Sequence, residues 1–470
     1  MFHDGNEGLH IPVHPSLLWC THVHVHTHTH CLAAADDTAT PTHLRQPHSS
    51  QLNNQTTHRP PSMAAAAAGA LLAVIALATC SSAAAAGGGG AAAELAAPAV
   101  SAVYVFGDSL VDAGNNDFLP APPAPRAVPP NGVDLPPAVS PRTGRFTNAF
   151  NLADIIAQHV GFKKSPPAYL SLTPLSSASL DLLHGRVGAN YASGGSGILD
   201  ATGNGTITLR EQVRLFAETK AAMLRAAAPV QGRATLDGPD GLLARSLFVV
   251  SAGGNDFTAF VRGVPLSQAP EFAAAMVAHY LTYINPATSI KHVCVLPVQE
   301  LYALGARRLV LLDVLPVGCL PCQRATTADG GCNGDGNYLA ELFNALLRAE
   351  MAKAASVAMP GLSYSIASLY NVLSDIIADP AMAGLREVKT GCCGGGRFNG
   401  EVDCGAAGAE LCADRDEYLF WDKVHGTEAA YRRAVLAFFY GTTRVAEPVN
   451  LDQLLREQNS ATATDAYSSM

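Results

Sequence analysis

Short apolar runs alternate with amphipathic segments over residues 98–456. Runs of strand length occur at 103–106, 246–251, 308–313 and 362–367. A helical pattern at 148–159 ends before Gly161, and another covers 338–355. Short buried strands that alternate with helices predict an α/β fold, in which a parallel sheet is covered by helices on both faces. Ligands bind such sheets at the carboxyl ends of the strands.

One helical pattern is interrupted. The pattern of 273–284 stops at Asn285-Pro286, and Pro297 precedes a second helical stretch that ends at Gly305. Joining Ile284 directly to Gln299 would restore a single amphipathic helix. We therefore predict that 285–298 is an extra segment, either a retained intron that keeps the reading frame or a genuine loop insertion.

The N-terminal region lacks the pattern of a folded core. Residues 1–62 contain THVHVHTHTH, which could bind metal, although a DNA repeat of alternating C and A also encodes alternating His and Thr. We interpret 1–62 as disordered, or as untranslated leader wrongly included in the coding sequence. The apolar stretch of 63–90 is shorter than a bilayer requires and predicts a cleaved signal peptide, provided that Met63 is the true start. The folded domain is predicted over 98–456, followed by a disordered tail, 457–470.

The net charge, the hydropathy and a glycosylation motif limit the cellular compartment and the binding partners that we expect. The formal net charge of −9 gives no basic face for a phosphate backbone, so we expect no nucleic-acid partner. No segment after the signal is apolar enough to span a membrane stably. Asn204-Gly-Thr206 is an N-glycosylation acceptor in a Gly-rich loop, and this motif fits a secreted protein.

Seven cysteines lie between residues 319 and 412. They could be zinc ligands, but their spacing is not the paired CxxC of a zinc ribbon, and a secreted context favours disulfides. We therefore predict disulfide bonds within this set: Cys319, Cys322, Cys332, Cys392, Cys393, Cys404 and Cys412.

The clearest candidate for chemistry follows the first predicted strand. Ser109 lies in FGDSL, where Asp and Ser would ordinarily cap a helix. A nucleophilic serine needs a base, and that base needs a group that orients it. Phe420-Trp-Asp-Lys-Val-His425 supplies both, because the spacing puts the Asp422 carboxylate within reach of the His425 imidazole. Asp108 is expected to brace the turn rather than to take part in a triad.

Two further segments suit the stabilisation of an oxyanion. The Gly-rich stretch 188–197 allows close approach of its backbone to a ligand, and Asn255 in GGND follows a predicted strand directly. Each motif is weak alone, since Gly-rich turns after strands are common.

Together, and in this order, the motifs resemble the plant GDSL esterase/lipase family, a branch of the SGNH hydrolases, from about Val103 to Leu454. The first block, FGDSLVDAGNN, resembles the family's nucleophile block with Ser109 as nucleophile. GANYASGGSGIL resembles the second block, whose oxyanion-hole glycine falls at Gly194. GGND resembles the third block, with Asn255 as the other donor, and FWDKVH resembles the last, with Asp422 and His425. TGRFTN, LGARRLVLLDVLPVGCLP and CCGGG resemble connecting segments.

The resemblance implies one three-layer α/β/α domain, resembling flavodoxin, with about five parallel strands. It implies a secreted serine esterase/lipase in which Ser109 attacks a carboxylic ester, His425 transfers the proton and Asp422 orients His425. The oxyanion would be held by the N–H groups of Ser109 and Gly194 and by the Asn255 side chain. No metal or organic cofactor is expected, the partner would be a small-molecule or lipid ester, and we expect a monomer outside the cell, in the wall.

The chain also departs from the family pattern. Gly426 replaces the usual Pro after the histidine and is expected to loosen the backbone there, and Cys322 has no obvious place in the family's cysteine pattern. The extra segment 285–298 interrupts a region that is normally helical. Two alternatives therefore stay open: a deacetylase of wall polysaccharide, and a secreted binding protein with impaired catalysis.

Overall fold

The computed structural model describes residues 99–120, 124–136, 144–173, 176–227, 238–281 and 297–456. The predictions for 1–62, 63–90 and 457–470 lie outside the described residues, as does nearly all of the extra segment 285–298. The family resemblance falls almost wholly inside them.

The described strands form one large sheet and two small ones. The large sheet has six strands in the order β10-β5-β4-β3-β1-β2. Strands β1 to β5 are parallel, and the edge strand β10 runs antiparallel to β5. The two small sheets pair β6 with β9 and β7 with β8. The strands are β1 Val103–Gly107, β2 Gly188–Asn190, β3 Leu247–Ser251, β4 Arg308–Leu312, β5 Ser363–Ala367, β6 Glu387–Gly391, β7 Cys393–Gly394, β8 Glu410–Leu411, β9 Tyr418–Phe420 and β10 Ala446–Pro448.

Helices cover the large sheet in two groups. Helices α1, α10 and α11 pack together as one group, whereas α3, α6, α7 and α9 belong to the other. The described helices are α1 Leu152–His159, α2 Ser177–Leu183, α3 Leu209–Ala226, α4 Pro239–Ala244, α5 Gly254–Gly263, α6 Ala269–Leu281, α7 Pro297–Ala303, α8 Pro321–Arg324, α9 Gly334–Val357, α10 Leu369–Ala378 and α11 Glu428–Tyr440. None of these helices combines the length and the apolar character needed to cross a bilayer. The predicted three-layer α/β/α architecture with five parallel strands is confirmed.

Aromatic side chains fill the space between β1 and its neighbours. Tyr104 and Phe106 point from β1 into a cluster in which ring centroids lie 5.0 to 6.0 Å apart, within the range that favours tilted and offset contacts. All residues of β1 and β3 are buried. These two central strands therefore form a fixed support for the segments that leave their carboxyl ends. The other members of the cluster are Tyr191, Phe216 and Phe248.

Helix α1 starts later than its periodicity predicted. The pattern over 148–159 places the start at Asn148, but the helix begins at Leu152 because Asn151 and Asp154 form a reciprocal capping box. Two strands of the large sheet, β2 and β10, and the four strands of the small sheets were not predicted from the sequence. β2 lies inside the stretch interpreted as a Gly-rich loop, and β10 has only three residues and ends at Pro448. Neither is long enough to give a period-two or continuous apolar signal.

Candidate active site

Ser109 follows the end of β1 at a tight crossing with β3. Gly107 has a φ of 133°, and a Cβ at this position would lie 1.9 Å from the Ser251 carbonyl oxygen. Only glycine fits such a contact. The chain then turns at once, and the Asp108 carboxylate accepts the Leu110 N–H at 3.0 Å. Ser109 is thereby held half-exposed at the carboxyl end of the sheet.

The loop before α11 brings His425 to this serine across more than three hundred residues of sequence. His425 Nε2 lies 2.8 Å from Ser109 Oγ, and His425 Nδ1 lies 2.8 Å from Asp422 Oδ2. An ionised carboxylate can only accept, so Nδ1 carries the proton and Nε2 accepts the Ser109 hydroxyl. The three side chains therefore form one continuous line of hydrogen bonds.

The Asp422 carboxylate is stabilised in its charged form. Burial by itself would raise its pKa, since Asp422 is only 8% exposed, but the charge and hydrogen bond of His425 and the N–H groups of Val424 and His425 outweigh that effect. The pKa of Asp422 consequently lies below its usual range. The ionised carboxylate is an acceptor that orients the His425 ring through its Nδ1–H.

Asp108, the other acid beside Ser109 and His425, has a raised pKa. It is 3% exposed, and among the described residues its carboxylate accepts a backbone N–H only from Leu110. Burial therefore raises its pKa to about 7, against the smaller opposing effects of Leu110 and His425. This agrees with the prediction that Asp108 braces the turn.

A segment that the sequence analysis took for a connection supports the histidine. The Phe146 ring stacks on the His425 imidazole with centroids 5.3 Å apart. Its neighbour Thr147 donates its hydroxyl to the Gly426 carbonyl at 2.9 Å, and the Asn148 side chain accepts the Glu428 N–H at 2.9 Å. TGRFTN carried no signal for this role, because its partners lie some 280 residues away.

The expectation that Gly426 loosens the backbone is wrong. Its N–H donates to the Tyr431 hydroxyl at 2.8 Å, while its carbonyl accepts from Thr147. A Cβ at this position would lie 2.7 Å from the Tyr431 ring. Both the N–H and the carbonyl of Gly426 are therefore hydrogen-bonded, and a proline could not make the contact to Tyr431 because it has no N–H.

Two N–H groups at the cleft, those of the Ser109 backbone and the Asn255 side chain, are candidates for binding a ligand oxygen. The Ser109 backbone N–H has no hydrogen-bond partner among the described residues. Asn255 lies in the first turn of α5 and lines the same cleft as Ser109. Its side chain carries two N–H groups, one of which donates to the Ser196 carbonyl at 2.9 Å. The other N–H stays available to a ligand.

Gly194 has a different role from the one expected. Its N–H donates to the Asp112 carboxylate at 2.8 Å, and its carbonyl accepts from the Asn116 side chain at 2.8 Å. Asp112 is fully buried and also accepts the N–H groups of Gly114 and Asn115, so it fixes the backbone after Ser109 to the Gly-rich segment. The Gly194 N–H is therefore committed within the protein and is not an oxyanion donor in this structure.

A second carboxylate holds the far end of the Gly-rich segment. Asp256 accepts the N–H groups of Ile198 and Leu199 and the hydroxyl of Thr202. Because Asp256 follows Asn255 on α5, the donor side chain and the segment that it contacts are fixed by the same turn. An acid directly after GGN was the available signal for this residue.

Six of the seven cysteines between residues 319 and 412 form disulfides in the described part of the chain. They pair as Cys319–Cys332, Cys392–Cys412 and Cys393–Cys404. The predicted disulfides are thus confirmed for these six residues, and Cys322 is not in a disulfide. Over the same part of the chain, no group of three or more His, Cys, Asp or Glu residues is arranged to hold a metal ion.

Comparison with known proteins identifies the family. The GDSL-like lipase/acylhydrolase family matches residues 103–438. GDSL esterase/lipase At3g50400 of Arabidopsis thaliana is 34% identical over 367 residues, which cover 75% of this chain and 90% of that protein. GDSL esterase/lipase At5g55050 of the same plant is 32% identical over 374 residues, covering 76% and 90%. The chain therefore belongs to the GDSL-like lipase/acylhydrolase family and is a carboxylic ester hydrolase.

Proposed function

We propose that this hydrolase is a secreted serine esterase in which Ser109 is the nucleophile, His425 the general base and Asp422 the residue that orients the base. The observation that carries the proposal is the line of hydrogen bonds from Ser109 Oγ through both imidazole nitrogens to Asp422, each 2.8 Å long. In this arrangement the lone pair of His425 Nε2 points at the serine hydroxyl, as removal of its proton requires.

The reaction proceeds in two halves. His425 Nε2 takes the hydroxyl proton while Ser109 Oγ attacks the ester carbonyl carbon, and the imidazolium is stabilised by the Asp422 carboxylate. His425 then returns the proton to the departing alkoxide oxygen, which leaves an acyl group on Ser109. Water, deprotonated by the same imidazole, releases the acid and regenerates the hydroxyl.

The negative charge on the former carbonyl oxygen is met by the Ser109 N–H and by the remaining N–H of Asn255. Donors of this kind contribute about 3 kcal/mol each in comparable sites, because they are oriented before the charge develops. Gly194 is not part of this hole, for its N–H is held by Asp112.

Three disulfides and an exposed Asn204 support secretion. Disulfides persist outside the cytosol, and the Asn204 acceptor is accessible to glycosylation. Expression in plant cells should give protein in the medium or wall whose apparent mass falls on treatment with an N-glycosidase. The Asn204→Gln variant should show no such fall, and an untreated mass equal to that of the variant would contradict glycosylation at this residue.

The catalytic assignment is tested with the full chain and nitrophenyl acetate. Replacing Ser109 with Ala should lower kcat at least about 10³-fold, because nucleophile and base act as a unit. Ser267→Ala is the matched control, since Ser267 is exposed and does not line the cleft. Equal rates for folded wild type and Ser109→Ala would overturn the assignment.

A further inference from the structure

The cleft above Ser109 is small. It has a volume of about 90 Å³, is open to solvent on one side, and is lined by Ser109, Asn255 and His425. Pockets that enclose a drug-sized ligand hold roughly 300–1,000 Å³. The cleft is therefore well below the size that takes up a long acyl chain.

One wall of the cleft is apolar and comes from the loop after β4. Leu315 and Val317 are 8% and 2% exposed and line the cleft together with Thr258 of α5. The loop lies directly against the start of α5, because a Cβ on Gly253 would come 2.9 Å from Val314 Cγ2. This wall therefore stands on the Asn255 side of Ser109.

Leu320 lies at the other end of the same loop, beside the histidine. The N–H of Cys322 donates to the Lys423 carbonyl at 3.1 Å, which joins this end of the loop to the residues preceding His425. Leu320 and Val424 both line the cleft. The cleft thus has an Asn255 end, with Leu315 and Val317, and a His425 end, with Leu320.

The chemistry fixes which part of an ester occupies each end. The alcohol oxygen must lie next to His425 Nε2, because it receives the proton from that nitrogen on departure. The carbonyl oxygen must point to the Ser109 and Asn255 N–H groups. The acyl chain is then directed away from His425, towards Leu315 and Val317.

The wall is braced against moving aside. Gly318 donates its N–H to the Asn337 side chain at 2.8 Å and accepts the Asn333 N–H at 2.7 Å, and a Cβ on Gly318 would lie 1.9 Å from the Asn333 carbonyl oxygen. The Cys319–Cys332 disulfide joins the same two segments. A longer acyl chain cannot be accommodated by displacement of this loop without breaking those contacts.

We propose that the enzyme acts on esters of short acyl groups, from acetyl to butyryl, with the alcohol part lying outside the cleft, and that Leu315 and Val317 set the limit on acyl length. This inference rests on the proposed function of Ser109 and His425. It names the acyl half of the substrate and leaves the alcohol half free to be large.

The test uses the full chain and one alcohol with three acids: nitrophenyl acetate, butyrate and octanoate. Wild-type kcat/KM for acetate or butyrate should exceed that for octanoate at least about tenfold, since single methylenes in an apolar pocket already change kcat/KM by about that factor. Leu315→Ala should raise the octanoate-to-acetate ratio about tenfold. Leu320→Ala is the matched control, because the same truncation at the His425 end should leave the ratio within about twofold.

Each outcome separates the acyl proposal from the catalytic one. Octanoate hydrolysis equal to or faster than that of the short esters, and abolished by Ser109→Ala, would overturn the acyl limit and leave the nucleophile intact. Hydrolysis that is unchanged in Ser109→Ala would overturn the proposed function itself. Should Leu315→Ala fail to fold, Val317→Ala removes less volume from the same wall and is expected to shift the ratio in the same direction, whereas an unshifted ratio would count against the proposal.

Discussion

Two aspartates beside the Ser109–His425 pair are similarly buried, but their pKa values are shifted in opposite directions. Asp422 accepts the imidazole N–H and two backbone N–H groups, so its pKa is lowered. Asp108 accepts one backbone N–H, and burial raises its pKa to about 7. Burial is similar for the two acids, so the charge of His425 and the hydrogen-bond donors of Asp422 account for the difference between the two pKa values.

The raised pKa of Asp108 makes stability depend on pH. Its unfolded pKa is about 3.9, so between about pH 4 and pH 7 the folded chain holds a proton that the unfolded chain has lost, and stability falls as the pH rises through this window. Asp108→Asn removes this titration. Relative to wild type, the variant should gain about 2 kcal/mol in free energy of unfolding between about pH 5 and pH 8, measured by denaturant titration. Exposed Asp335→Asn is the control, and a pH-independent difference for Asp108→Asn would refute the account.

Gly426 and Tyr431 form a matched pair next to the base. Tyr431→Phe keeps the ring but leaves the Gly426 N–H without its acceptor. Because His425 is then held less firmly, we expect the activation free energy to rise by about 1 kcal/mol. kcat should therefore be roughly fivefold lower at unchanged KM.

The control for Tyr431→Phe is Tyr440→Phe, because Tyr440 lies on the same helix and is 66% exposed. Steady-state kinetics should give this control wild-type values. A rise in KM with unchanged kcat in Tyr431→Phe would assign Tyr431 to substrate binding instead.

At the scale of elements, the strand that precedes Asp422 is attached to the disulfides. Cys392 and Cys393 donate their N–H groups to the carbonyls of Phe420 and Trp421, and the Trp421 N–H donates to the His425 carbonyl. Trp421 and both cysteines form one buried cluster. The loop that carries Asp422 and His425 is therefore fixed by the disulfide-bonded segment 392–412 as well as by the large sheet.

Removing a disulfide from this segment should affect catalysis as well as stability. Replacing Cys393 and Cys404 together with Ser should lower the free energy of unfolding by about 2–4 kcal/mol and lower kcat more than it changes KM. The comparison is the double Ser variant at Cys319 and Cys332, which should instead alter the preference among acyl esters, because that disulfide braces the cleft wall. Identical kinetic profiles for the two double variants would show that the two disulfides do not have separate roles.

Much of the element order could be predicted from the sequence, for a physical reason. β1, β3 and β4 are nearly continuous apolar runs, since strands covered on both faces bury both sets of side chains. β2 and β10 escaped prediction because they have three residues each, and β2 was concealed among the glycines of 188–197. Their pairing depends on strands that are distant in sequence, which no local pattern encodes.

For the molecule as a whole, the motif order predicted which side chains meet, but not every hydrogen bond among them. Ser109, His425 and Asp422 lie together as expected, whereas Gly194 binds Asp112 and the support from Phe146 came from a segment without a signal. Every residue except proline carries the same backbone N–H, so the sequence does not indicate which acceptor it will meet. That acceptor depends on the paths of two loops together. The prediction that 285–298 is an extra segment stays a prediction, to be tested by sequencing the transcript across this junction. A message that lacks these codons would identify a retained intron.

The most direct test of the central claim is covalent labelling of the intact chain with a fluorophosphonate. Attack by an activated serine forms an Oγ–P bond and releases fluoride, so the mass of one peptide rises by a fixed amount. We predict a single adduct, on the peptide that contains Ser109, at a rate that falls at least about 10³-fold in His425→Gln. An adduct on another serine, or equal labelling of folded wild type and His425→Gln, would contradict the account.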